Sequence, residues 1–236
     1  MRHSFEIGPR LRGLAAIALV VVAAAAPGAV RAAEVASAKA GWRETVRAFA
    51  AEHFHNPAWG YSHSQRDYAL AREMAAADHV LLDDDVLYAA SYLHDLAAFK
   101  PWEDEKLDHA DVAAGLVEGI LKDTGFPMTK IDAVRGAIRT HMYDRDPAGA
   151  EAVYLHDADA LDWLGAIGVA RIIALVDANG GKPTGPEIIP MLEHNLADVP
   201  ARVMSAAGRA RVAQRRAELE TFLRDLKRET DDLHTL

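Results

Sequence analysis

The sequence predicts an all-α protein, a helical bundle with a C-terminal helical extension, on two observations. Apolar residues recur at spacings of three and four along almost the whole chain, which is the signature of amphipathic helices. No stretch of strict apolar/polar alternation bounded by turn residues is long enough to suggest a sheet. The composition agrees: 50% of the 236 residues are hydrophobic and 26% charged, enough apolar material for a core and unlike a disordered or purely coiled-coil chain.

The first element is an export signal. Arg2, Arg10 and Arg12 precede an uninterrupted apolar stretch from Leu14 to Ala26, too short to span about 30 Å of hydrocarbon. Pro27 and Gly28 break it, and Val30-Arg31-Ala32 places slender residues at −3 and −1 of a cleavage site after Ala32. Residues 1–32 are therefore expected to be a secretory signal peptide and the mature chain to reach the bacterial periplasm without a membrane attachment. No Cys is available for a lipid anchor, and Leu11 separates Arg10 from Arg12, so Sec-type export is expected rather than a twin-arginine route.

Helices are then expected at roughly 36–54, 63–78, 84–99, 106–124, 129–143 and 150–178, the last broken near Gly165 or Gly168. Thr129 with Asp132 resembles a capping box opening the fifth, while Gly125, Phe126 and Pro127 close the fourth. The segment from Ala178 to Pro186 holds three Gly and two Pro and marks a boundary. It separates a metal-binding helical domain, 33–178, from an extension, 179–236, that packs on the same domain. Two or three further helices are expected between 187 and 232. Among them Arg209 to Lys227 reads as a charged amphipathic helix with Leu219, Phe222, Leu223 and Leu226 on one face, an arm for packing or for a homo-oligomer.

The formal charge of −9 repels polyanions, so no nucleic-acid partner is expected. With no Cys, disulfides, thiolate zinc sites and Cys nucleophiles are excluded, and 11 His leave imidazole and carboxylate as the metal ligands. The informative residues are His63, the adjacent pair His94-Asp95, His109, His141 and Asp159, each on a different expected helix. A bundle converges its inward faces on one axis, where a metal site can form. Asp95 lies in the apolar segment Ala89-Ala90-Ser91-Tyr92-Leu93-His94-Asp95-Leu96, where an unpartnered carboxylate is expensive to bury. Neighbouring helical residues diverge by about 100°, so His94 and Asp95 share one ion only if it lies between their faces or near a helix end. Asp157, Asp159 and Asp162 cannot all face solvent if Leu155, Leu161 and Trp163 are buried, so at least one needs a partner.

These residues carry a family resemblance. His63 with Arg66 (His-x-x-Arg), Leu93-His94-Asp95, Ile138 to His141 (Ile-x-x-His), then Asp157-Ala158-Asp159-x-Leu161-Asp162 with Gly165-x-Ile167-Gly168-x-Ala170-Arg171 occur in the order seen in HD-domain phosphohydrolases. The chain most resembles the small bacterial subgroup related to nucleotide pyrophosphohydrolases, over residues 50–175. The resemblance implies a divalent-metal-dependent phosphohydrolase acting on a small phosphorylated substrate such as a nucleotide. It implies His63, His94, Asp95 and Asp159 as ligands of one ion, with His109 and His141 where dinuclear members hold a second. Arg171 becomes a substrate-binding candidate on the same ground. The family often has a basic residue after the distal Asp; here it is Ala160, so a phosphate contact from that position is missing. Related folds also include di-iron oxygenases and non-catalytic ligand-binding domains, which stand as alternatives.

Taken singly, His63, His94, Asp95 and Asp159 each read better as satisfied core groups; jointly, ligand types, order and apolar context favour metal. Mixed His and carboxylate ligation suits Mn²⁺, Fe²⁺, Co²⁺, Ni²⁺ or Zn²⁺ better than Mg²⁺. Such an ion would lower the pKa of a bound water from about 15.7 towards about 7, with Asp95 orienting that water. Arg66, one turn from His63, is either a phosphate contact or a structural ion pair. Asp157 and Asp162 are candidates to orient a ligating His. His53, His55, Trp59 and Tyr61 either line a pocket mouth or belong to the core and loops. His79, His156, His194 and His234 show no ligand spacing.

Overall fold

Helices form where the apolar periodicity runs and stop where polar caps and glycines interrupt it. The computed structural model describes residues 41–176 and 187–236. Among the described residues are nine α-helices and no strand: α1 over 41–53, α2 Tyr61–Ala77, α3 Asp84–Leu93, α4 His109–Leu121, α5 Ile131–Arg139, α6 Ala150–Asp162, α7 Gly165–Val176, α8 Ile188–Asp198 and α9 Ala206–Glu229. The expected signal peptide, the first residues of the helix expected from 36, and the boundary segment Ala178 to Pro186 lie outside the described residues. No described helix is long and apolar enough to cross a membrane.

Side-chain caps set several starts. Asp83 accepts the Asp85 N–H, Asp108 the Ala110 N–H and Ser205 the Gly208 N–H, each satisfying a donor that the first helical turn cannot. The expected capping box at Thr129 and Asp132 does not form. Pro127, at φ −70°, opens a 3₁₀ turn over Met128–Lys130, so Thr129 is already wound when α5 begins, and Asp132 instead faces Arg135 at 3.3 Å. The third helix also stops earlier than expected, at Leu93, and a 3₁₀ turn over Leu96–Ala98 follows.

The long helix expected over 150–178 is two helices. The chain turns after Asp162 and restarts at Gly165, whose φ is +67°. A β-carbon there would fall 2.6 Å from Glu218 Oε2 and 3.3 Å from Arg215 Cβ on α9. The turn therefore needs both a left-handed backbone and a missing side chain, which only glycine supplies.

α2, α3 and α6 pack against one another, α5 packs on α3 and α6, and α4 lies on α5. Leu87, Leu93, Ile138, Leu155 and Leu161 are fully buried between them, each contributing about 1.5–3 kcal/mol. α9 packs on α7, α6 and α2, with Leu219 and Leu223 buried and Phe222 and Leu226 partly so. The apolar stripe of this arm is thus used within the chain. Two carboxylates hold its start: Asp157 accepts the Met204 and Ser205 N–H groups at 2.9 and 2.6 Å, and Asp78 accepts Ala207 N–H and the Tyr154 hydroxyl at 3.0 and 2.9 Å.

Candidate metal centre

The four central helices deliver their polar residues to one point. His63 comes from the first turns of α2, Asp159 from α6, and His94 and Asp95 from the end of α3. The early stop at Leu93 matters here. Because the regular helix ends there, His94 and Asp95 both turn toward the centre, the helix-end arrangement that adjacent ligands require. His63 Nε2 lies 3.2 Å from Asp159 Oδ1, 3.2 Å from His94 Nε2 and 3.7 Å from Asp95 Oδ2. His94 Nε2 is 3.2 Å from Asp95 Oδ2.

The other oxygen of Asp95 looks the opposite way. Its Oδ1 is 3.5 Å from His109 Nε2 and 3.6 Å from His141 Nε2, and these two imidazoles are 3.4 Å apart. His109 opens α4 and His141 follows α5. Asp95 thus stands between two groups of donors: His63, His94 and Asp159 on one side, His109 and His141 on the other.

The second nitrogen of each buried imidazole fixes what the first can do. His63 Nδ1 is 2.8 Å from Asp162 Oδ2, His94 Nδ1 is 2.9 Å from the Ser91 carbonyl, and His141 Nδ1 is 2.7 Å from the Ile138 carbonyl. These partners only accept, so each Nδ1 carries the proton and each Nε2 directs a lone pair at the carboxylates. Lone pairs and anionic oxygens converging at about 3 Å repel one another unless a cation lies among them, and an imidazole anchored through its far nitrogen is the usual posture of a metal ligand. The donor set therefore fits a divalent cation.

The titration behaviour has the same cause. Against the lowering pull of burial, Asp67, Asp159 and Asp162 raise His63 to about 10, because three carboxylates crowd its ring. Burial would raise Asp95 and Asp159, but His94 holds the first well below the usual carboxylate range, and His63 lowers the second. Burial lowers His94, while Asp95 raises the equally buried His141 against that same pull.

Two guanidiniums flank the cluster in different ways. Arg66 grips Asp162 with two hydrogen bonds, at 3.0 and 2.7 Å, and does not line the pocket. Arg171, 2% exposed, donates Nε–H to the Ala58 carbonyl at 2.7 Å and lies 3.2 Å from Asp162 and 3.8 Å from Asp159. Its guanidinium sits 3.6 Å over the Trp163 ring, a cation–π contact. A pocket of about 210 Å³ opens onto this side of the cluster, lined by Trp59, Asp95, His109, Asp159, Trp163 and Arg171 among others.

Residues 60–164 match the HD domain. Those residues form an HD domain. Solved structures share the fold: Bacillus subtilis YpgQ in complex with ADP (21% identity, TM-score 0.62, 79% of this chain and 97% of that one), and a Lactobacillus plantarum protein (21%, TM-score 0.64, 80% and 97%). A third is a predicted HD superfamily hydrolase from an uncultured Thermotogales bacterium (24%, TM-score 0.55, 80% and 90%). No protein with curated annotation matches the sequence significantly.

Within this HD domain one buried acid escaped the sequence analysis. Asp67, one turn after His63 on α2, is fully buried with Oδ2 3.1 Å from His63 Nε2, and it joins His63, His94 and Asp159 in a single donor group. Burial pushes its carboxyl well above the usual range. Its i, i+4 spacing puts it on the same face as His63 but does not by itself mark it as buried. Of the two acids offered as His-orienting partners, Asp162 orients His63, whereas Asp157 serves the start of α9 and touches only His156, at 3.0 Å. Of the aromatic group before His63, only Trp59 lines the HD-domain pocket. His53 packs on Phe49 and Trp102, and Tyr61 accepts from Arg47.

Proposed function

We propose that this protein is a divalent-metal-dependent phosphohydrolase acting on a nucleotide or another small phosphate ester. The observation that carries the reading is the convergence of the His63, His94 and His141 lone pairs on Asp95 and Asp159, beside a pocket that holds a buried guanidinium. The ADP-bound YpgQ structure, of the same fold, supports a nucleotide, and the description of the Thermotogales relative as a hydrolase supports the reaction class.

In this reading His63, His94, Asp95 and Asp159 hold the first cation, and His109 and His141 share Asp95 with a second. Bound there, a divalent cation such as Mn²⁺, Fe²⁺, Co²⁺, Ni²⁺ or Zn²⁺ supplies a Lewis acid that activates water and withdraws charge from a phosphoryl oxygen. The side chains do the rest. Asp95 accepts from the attacking water and orients it. Arg171, already aimed into the pocket from its stack on Trp163, meets the phosphoryl oxygens as a charge-assisted donor. Arg66, the phosphate contact expected from its spacing, is engaged by Asp162 and acts through it on His63, as a positioning residue. Trp59 and Trp163 offer flat apolar walls to the rest of the substrate. The chain reaches its substrate in the periplasm after removal of residues 1–32.

Metal analysis of purified protein followed by a phosphate-release screen tests this. Nucleoside mono-, di- and triphosphates and simple phosphate esters would be offered with Mn²⁺, Co²⁺, Ni²⁺ and Mg²⁺. Release with a transition metal, absent after chelation, is expected. Bound iron with an absorbance change under O₂ and no phosphate release would favour an oxygenase and overturn the reading.

A further inference from the structure

Asp67 is fully buried, and neither of its carboxylate oxygens accepts a hydrogen bond. A buried carboxylate without donors is costly, and native proteins keep one only where another positive group meets it. The nearest polar atoms are His63 Nε2, 3.1 Å from Oδ2, and His94 Nε2, at 3.7 Å; their Nδ1 protons are committed to Asp162 and the Ser91 carbonyl, so with a cation in the cluster both Nε2 atoms face it as lone-pair donors and give Asp67 nothing. Asp67, Asp159 and the two imidazoles present ligand atoms all within 4.8 Å of one another.

Charge balance points the same way. Around the deep half of the cluster, four carboxylates (Asp67, Asp95, Asp159, Asp162) face two guanidiniums (Arg66, Arg171). With neutral imidazoles this leaves two negative charges, which one divalent cation cancels. Without Asp67 the same ion would leave an uncompensated positive charge in the core.

We infer that Asp67 is a fifth protein ligand of the deep cation and sets the centre's preference for a hard, high-coordinate ion such as Mn²⁺ over tetrahedral Zn²⁺. The inference rests on the metal-centre reading above. Three carboxylates with two imidazoles exceed the four ligands that Zn²⁺ takes in closed sites and supply the oxygen donors that Mn²⁺ favours.

The test compares wild type with Asp67→Asn and Asp67→Ser, each stripped by chelator. Calorimetric titration reads Mn²⁺ and Zn²⁺ affinity, and thermal unfolding reads the metal-free and Mn²⁺-loaded chains. Loss of a direct ligand should weaken Mn²⁺ by about 100-fold or more, beyond what outer partners of a ligand cost, and Zn²⁺ clearly less. Both variants should stay folded without metal, while the gain in Tm on adding Mn²⁺ shrinks. Unchanged Mn²⁺ affinity and an unchanged gain in Tm in either folded variant would overturn the inference and make Asp67 a structural partner of His63. A wild type that binds neither ion would instead overturn the metal-centre reading itself.

Discussion

Arg66 donates both Nε–H and Nη2–H to Asp162, and the same Asp162 oxygen that takes the Arg66 Nη2 proton at 2.7 Å also takes the Nδ1 proton of His63 at 2.8 Å. One carboxylate thereby fixes both the tautomer and the rotation of the imidazole. Asp162→Asn, which removes the charge and turns one of the two accepting oxygens into a donor, should weaken Mn²⁺ binding about 10–100-fold, and Arg66→Ala by about 10-fold, the usual cost of losing a partner that orients a ligand. Competition against a chelating dye measures both. Wild-type affinity in the two variants would show that the pair is structural only.

His94→Ala and Asp95→Ala should abolish metal-dependent phosphate release while leaving the helical circular dichroism spectrum largely intact. Both substitutions leave the backbone bonds of α3 and of the 3₁₀ turn after it in place and remove only side chains that face the ion site. Full turnover of either variant at saturating metal would contradict the assignment.

His141→Ala separates one ion from two. If His109, His141 and Asp95 Oδ1 hold a second cation, bound metal falls from about two towards about one per chain and turnover drops strongly, because one side of the phosphoryl clamp is lost. Elemental analysis of the purified variant gives the stoichiometry. A wild-type content near one, with little loss of turnover in the variant, would leave the deep site alone.

Asp157→Ala should lower stability without touching metal affinity. It removes the acceptor of the buried Ser205 N–H, a loss of about 1–3 kcal/mol, or roughly 2–12 °C in Tm for a chain of this size. Thermal unfolding in saturating Mn²⁺ reads the effect. An unchanged Tm would mean that water replaces the carboxylate at the start of α9.

Export predicts a mature N-terminus at Ala33. N-terminal sequencing of protein from the periplasmic fraction of an exporting host checks it, and an intact Met1 on soluble cytoplasmic protein would overturn the signal-peptide reading.

His63, His94-Asp95, His109, His141 and Asp159 were legible as a group because each breaks an apolar run at an ordered position, and the structure brings their side chains together. The break before Gly165 was legible too, since a glycine pair interrupts one long period. Asp67 was not. Arg66-Asp67 reads as an ordinary charged step on a solvated face, and only the packing of α6 across α2 shows that the second residue is inside. Arg66 was placed on the right helix face, but its competitor Asp162 lies 96 positions away, a distance over which spacing rules say nothing. The false capping box at Thr129 failed for a local reason: Pro127 starts winding the chain before the cap position is reached.

The two sides of Asp95 differ in their access to water. His63, Asp67, His94 and Asp159 are at most 2% exposed, while the side chain of His109 is 32% exposed at the pocket rim. An ion held on the inner side would have to give up ligands that are nearly all buried and leave past Asp95 and Asp159 at the floor of the pocket, so its residence time would be the longer of the two. An ion at His109 could trade ligands with bulk water one at a time. Exchange with labelled metal should therefore be biphasic. The inner ion would then persist through dilution, and the outer one would follow the solution in which the protein works.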